Sequence, residues 1–180
     1  MLTLGHISSS YLLAQVPAFF TMPLSPSEQI LVVVSGYILD LDLLFAKKFV
    51  KNEAYHHLLP THTPFFVLII SGIGFLFLKN FFSVTSLIFA SLAMLLHLAL
   101  DDFGYWFYKL GWQKISHVPQ IFWLYPFDKR RKHFVGKWQN ETNQGNLETI
   151  KLYITKATVN VVLEIILSLI AMVIFIKQVL

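Results

Sequence analysis

This sequence predicts an all-α fold: a polytopic membrane helix bundle of about four to five transmembrane helices, with a long interfacial segment between the last two. Three observations predict it. Hydrophobic residues make up 56% of the 180 and charged residues only 13%, with mean hydropathy +0.61, which leaves too little polar side chain to cover a soluble globule. The hydrophobic residues gather in runs that approach the roughly 20 needed to cross a bilayer core. Between the last two runs lies a stretch too polar to span yet rich in tryptophan and in basic residues.

The elements follow in chain order. Leu4 to Phe20 is the weakest span, short and carrying Ser8, Ser9, Ser10 and Gln15. Residues 1–22 hold no lysine or arginine to make the basic start of a signal peptide, so this first run is expected to stay. "TMPLSPSEQ" reads as a tight turn, marked by Pro23 and Pro26, with Ser27 as a helix cap. Gln29 to Ala46 is apolar apart from Asp40 and Asp42 near its end, and residues 47–63 form a polar loop. Phe65 to Leu78 and Val84 to Leu100 are strong spans joined by the turn "KNFFS", and Ala157 to Ile176 is the final one. Three regions result: a helical bundle over 1–102, a basic and aromatic interfacial segment over 103–156, and a C-terminal transmembrane helix within 157–180. The middle region holds all four tryptophans, the run "DKRRKH" and the turn-rich "NETNQGN". Its stretch "GYWFYKLGW" reads as an interfacial anchor rather than a cofactor box.

Composition also excludes. Without cysteine there is neither a disulfide framework nor a thiolate metal site, so any metal is held by nitrogen and oxygen. The net charge of +4 is expected to set topology and to meet anionic lipid headgroups; no nucleic-acid partner is expected. With the helices laid up and down, every basic residue except Lys79 and Lys177 falls on the side of the 47–63 loop. By the positive-inside rule that side is the cytoplasm. The chain is thus expected to be an integral protein of a bacterial inner membrane.

Ionisable side chains in membrane segments cost roughly 2.5 to 3.5 kcal/mol on insertion scales, so their positions are informative. His6 opens the first helix, Asp40 and Asp42 close the second, and His56, His57 and His62 fill the loop before the third. His97 and Asp101 end the fourth, with Asp102 beside them. The topology brings all these ends to one face. His97 and Asp101 are four apart, hence one turn apart on the same helix face. Asp40 and Asp42 lie about 200° apart round an α-helix, so both reach one centre only if the helix end unwinds. Asp40 is the favoured ligand, and Asp42 is a second ligand or a group that orients a histidine. Each residue alone has an ordinary explanation. A histidine inside "AMLLHLAL" is most often hydrogen-bonded within its bundle, loop histidines are most often solvated, and Asp40 could pair with Lys47. His117 and His133 are read as solvated or lipid-facing. It is the convergence on one face that points to a metal.

The ordered series "GHISS", "GYILDLD" (36–42), "HLLPTH" (57–62), "HLALD" (97–101) and "LYPF" (124–127) resembles the inner-membrane metal-dependent hydrolases, over about residues 5–127. That family carries Gly-His, Pro-Asp-x-Asp, His-Arg-Gly-x-Thr-His, His-x-x-x-Asp and Trp/Tyr-Pro-Phe in this order. Leu39 stands where the family has proline, and Leu58 and Leu59 stand for Arg-Gly. More distantly the series is similar to the zinc-dependent phospholipase C superfamily, without its downstream His-x-x-x-Glu pair. The resemblance implies metal ligands at His6, Asp40, Asp42, His57, His62, His97 and Asp101, with catalytic roles for Asp101 and Asp42.

A sulfur-free set of imidazoles and carboxylates suits zinc first, with manganese or iron next. Seven candidates exceed the needs of one catalytic ion, so one or two ions are expected, Asp101 bridging if there are two. The expected chemistry is hydrolysis of a phosphoester on a lipid or lipid-linked substrate, an anionic phospholipid being the natural partner at that face. The competing expectation is a non-catalytic membrane protein with a structural or sensory metal site.

Overall fold

The computed structural model describes residues 3–42, 59–112, 121–127 and 158–180. Regular structure among them is helical throughout: α1 (Thr3–Gln15), α2 (Pro26–Tyr37), α3 (Pro64–Leu78), α4 (Val84–Lys109) and α5 (Thr158–Val179). Short 3-10 turns occupy Val16–Phe20, Ile38–Asp42 and Pro60–His62. Two helices, over Val84–Phe107 and Val159–Val179, are long and apolar enough to cross a membrane, and α3 is a shorter apolar helix. Much of the surface of α3 and α5 is apolar, including Leu76, Phe77, Ile165 and Leu169, while serines, histidines and carboxylates are buried.

Helix ends explain themselves locally. Proline has no N–H to satisfy, so α2 opens on Pro26 and its cap is Ser25 rather than the expected Ser27. Glu28 reaches back to accept the Ser25 N–H at 2.9 Å and its hydroxyl at 2.8 Å. The other oxygen of Glu28 accepts the Ser83 N–H at 3.0 Å, lacing the start of α2 to the start of α4. α3 likewise opens on a proline, behind Thr63, whose hydroxyl accepts the Phe66 N–H at 3.3 Å. α4 runs beyond the expected Leu100 to Lys109, because nothing from 101 to 109 breaks it apart from the buried Gly104. Gly111, at φ +76°, then turns the chain in the left-handed region. Residues 103–109, the first of the expected interfacial segment, therefore continue α4.

α2 packs between α1 and α4, α3 packs on α4, and α5 packs mainly on α1. The α1–α2 crossing is close. A Cβ added to Gly36 would lie 1.8 Å from Ser10 Oγ and 2.7 Å from Ser10 Cβ. Small residues (Ser10, Ala14, Gly36, Ala93) make that approach, as in membrane helix pairs where backbone proximity supplies the van der Waals gain. α1 and α5 run parallel and are joined by side-chain hydrogen bonds: Ser8 to Ser168 (3.1 Å), Tyr11 to Gln178 (2.7 Å) and Gln178 to Gln15 (2.7 Å). Gln15 passes the chain on to Gln29 at 3.2 Å, and Gln29 to the Leu24 carbonyl at 3.0 Å. These bonds pair polar side chains that would otherwise lie against apolar neighbours.

Candidate metal centre

Four separate parts of the chain bring ionisable groups to one end of the bundle. His6 closes the first turn of α1, Asp40 lies in the 3-10 turn after α2, His62 in the turn before α3, and His97 and Asp101 on one face of α4. All five are buried, His62 fully and His6 and His97 to 1% exposure.

Their polar atoms meet. His97 Nε2 is 3.2 Å from Asp101 Oδ2 and 3.5 Å from Asp40 Oδ1. His62 Nε2 is 3.8 Å from the same Asp40 oxygen. His6 Nε2 is 3.0 Å from Asp101 Oδ1, and its ring stacks on that of His97 with centroids 3.8 Å apart. Two sets, His6–Asp40–His97 and His62–His97–Asp101, each offer ligand atoms within 4.8 Å of one another and could hold a metal ion.

The outer ring nitrogens decide how the inner ones behave. His97 Nδ1 is 2.8 Å from the Gly36 carbonyl, which can only accept, so Nδ1 carries the proton. His97 Nε2 makes no hydrogen bond among the described residues. In the neutral tautomer it therefore presents a lone pair to two carboxylate oxygens in a buried setting. Lone pair against anion is repulsive there, and a cation between them converts the arrangement into an attractive one.

His62 is held at both ends. Its Nδ1 is 2.9 Å from Asp42 Oδ2, which also accepts the Thr61 hydroxyl. The tighter 3-10 winding of Ile38–Asp42 is what sends Asp40 and Asp42 to opposite nitrogens of one imidazole. Asp42 thus sits behind His62, on the ring nitrogen away from Asp40. Burial opposes a charged imidazole at His62, but Asp40 and Asp42, with the further charge of Asp101, outweigh it and push its pKa up to about 9.

The structure brings together His6, Asp40, His62, His97 and Asp101, with Asp42 adjoining. His57 lies outside the described residues, as do His56, His117, His133, the loop lysines and the "DKRRKH" run. Two buried acids had no assigned role in the sequence reading. Asp102 (2% exposed) accepts the Ile121 N–H at 3.3 Å and the Trp123 indole N–H at 2.9 Å. Glu164 is buried in α5, one turn from the buried Asn160. The signal for both was available, since an acid in or at the end of an apolar run needs a partner.

No family model, curated protein or solved structure matches the chain. The functional reading therefore rests on geometry and chemistry.

Proposed function

We propose that the protein is a polytopic membrane hydrolase with a divalent metal, cleaving a phosphoester of a lipid or lipid-linked substrate. The observation that carries the metal is His97 Nε2, its proton committed to the other nitrogen and two carboxylates facing it. The donors fit such an ion. A tetrahedral ion with bonds of about 2.0–2.1 Å keeps its ligands about 3.3–3.4 Å apart. His97 lies 3.2 Å from Asp101 and 3.5 Å from Asp40, and His62 lies 3.8 Å from Asp40, close to that spacing. Nitrogen and oxygen donors favour zinc, then manganese or iron. His62 Nε2 and His97 Nε2 both face Asp40 Oδ1, at 3.8 and 3.5 Å, so one ion there would take both imidazoles, and a second would be held by His6 and Asp101.

When bound, the ion supplies Lewis acidity that activates water and stabilises charge on a phosphoryl oxygen. The chain's own residues do the rest. Asp42 orients the His62 ring, the Gly36 carbonyl orients the His97 ring, and Asp101, which would hold the ion through the oxygen facing His97, turns its other oxygen to His6 Nε2 at 3.0 Å, where a proton can be held. In this reading four to five helices cross a bacterial inner membrane and the site faces the cytoplasm, supported by the twelve-to-two excess of lysine and arginine on that side (14 in all, less Lys79 and Lys177).

A second reading has its own support. Catalytic sites usually keep an open ligand position, and here every donor is buried, as in a structural or sensory site. The test separates them. Protein purified in detergent is analysed for bound metal, then assayed on phosphomonoesters and phosphodiesters with and without chelator. Chelator-sensitive cleavage, lowered at least about 100-fold in Asp101→Asn, is the expected result for an enzyme. Bound metal with no turnover on any lipid or surrogate favours the staple, and metal-free protein from a chelator-free preparation defeats both.

A further inference from the structure

We infer that Asp102 is a positioning residue that fastens the Ile121–Phe127 segment beside the metal centre as a lip contacting the lipid bilayer. The inference rests on the membrane reading above. Consecutive residues of an α-helix point about 100° apart, so one turn of α4 sends Asp101 toward the histidines and Asp102 toward the segment. A carboxylate buried to 2% exposure is costly unless its charge is met by donors. The Ile121 amide and the Trp123 indole meet it, and hydrogen bonds to an ionised acceptor are the stronger kind.

The segment is built with two faces. Ile121 is buried in a cluster with Leu39, Val67, Met94 and Leu98, two of which are chain neighbours of Asp40 and His97. The inner face is thus seated on the residues that back the metal centre. On the outer face Leu124 is 64% and Phe127 85% exposed, and Trp123 is partly exposed beyond its indole N–H. Trp106 and Trp112, at the same end of α4, are also exposed. Exposed tryptophan and phenylalanine at the end of an apolar helix suit the bilayer interface, where an aromatic ring has an apolar body to bury and a polar edge to satisfy. Asp102 thus fixes the distance between the metal centre and the lipid contact, so its loss should weaken capture of a lipid more than chemistry on it.

The experiment uses the full chain with Trp106, Trp112 and Trp138 changed to phenylalanine, reconstituted in phosphatidylcholine vesicles with or without brominated acyl chains. Trp123 emission is expected to be quenched by the brominated lipid, with quenching falling at least twofold in Asp102→Asn and recovering part-way in Asp102→Glu. Metal content in Asp102→Asn is expected to match the parent. On a phospholipid substrate KM should rise about tenfold with kcat within about threefold, while a soluble phosphomonoester is cleaved as by the parent. Absence of quenching in the parent, unchanged quenching in Asp102→Asn, or loss of metal in that variant would each overturn the inference. If the parent has no turnover on any substrate, the hydrolase reading fails, and quenching with metal content still decides the role of Asp102.

Discussion

Two ring nitrogens that face away from the centre govern it, and each gives a prediction at the scale of one side chain. Asp42 acts on the site through His62, so Asp42→Asn should weaken metal affinity by about 10- to 100-fold with the number of ions per chain unchanged, read by competition with a chromogenic chelator. A drop in ions per chain would instead make Asp42 a direct ligand. Gly36 meets the site through its carbonyl, at His97 Nδ1, and its missing side chain sets the α1–α2 approach. Gly36→Ala drives a methyl into Ser10 and should destabilise the protein by about 1–3 kcal/mol, seen as a lower Tm in detergent. Ser10→Gly in the same chain should restore much of the loss, because the two positions share one contact. At this scale the sequence was partly legible. His97 and Asp101 could be paired from their spacing, since an α-helix fixes which residues share a face. Asp42 could not be placed, because its direction depends on a switch to 3-10 winding that no local residue announces. The partners of Asp102 lie about twenty residues downstream across an irregular connection, where periodicity carries no information.

Among the elements, the start of α2 offers a pH-dependent test. Hydrogen bonds from Ser83 and Ser25 hold Glu28 well below its ordinary value of 4.5, at about 2. A carboxyl depressed on folding stabilises the folded state above its unfolded pKa, and that stabilisation is lost as pH falls from about 4.5 toward 2. Glu28 is largely in contact with solvent or headgroups, so screening keeps the effect to about 0.3–1 kcal/mol. Glu28→Gln should lower Tm at pH 7, with the gap to the parent closing across that acidic window. A gap of constant size would remove the carboxylate charge from the account. Element positions were the most legible part of the fold: α3 begins one residue from its expected start, and Val84 opens α4 as expected. Element ends were less so. Ser25 displaced Ser27 as a cap because Pro26 takes the first helical position, and α4 overran Leu100 because an amphiphilic sequence continues a helix as readily as an apolar one.

For the molecule as a whole, the cluster joins helix ends from residues 6 to 101, and an ion held there would cross-link them. An ion that binds only the folded state stabilises it by about 2.7 kcal/mol when present at 100 times its Kd. Removing metal by dialysis against chelator should therefore lower Tm, and adding zinc back should restore it in a concentration-dependent way. Identical melting of treated and untreated protein, together with no bound metal, would leave the cluster as an ion-pair network. The location of this cross-link on one face was readable from connectivity alone, since alternating helices must return every second end to the same side. The seal around it was not, because burial to a few per cent depends on how α1, α2 and α4 close on one another.

The side-chain clasp between α1 and α5 has a consequence for biogenesis. Synthesis completes Ser8, Tyr11 and Gln15 well before Ser168 and Gln178 exist. On the membrane reading proposed above, the first helix would until then show unpartnered hydroxyls and amides to acyl chains, and only the arrival of the last helix would cover them.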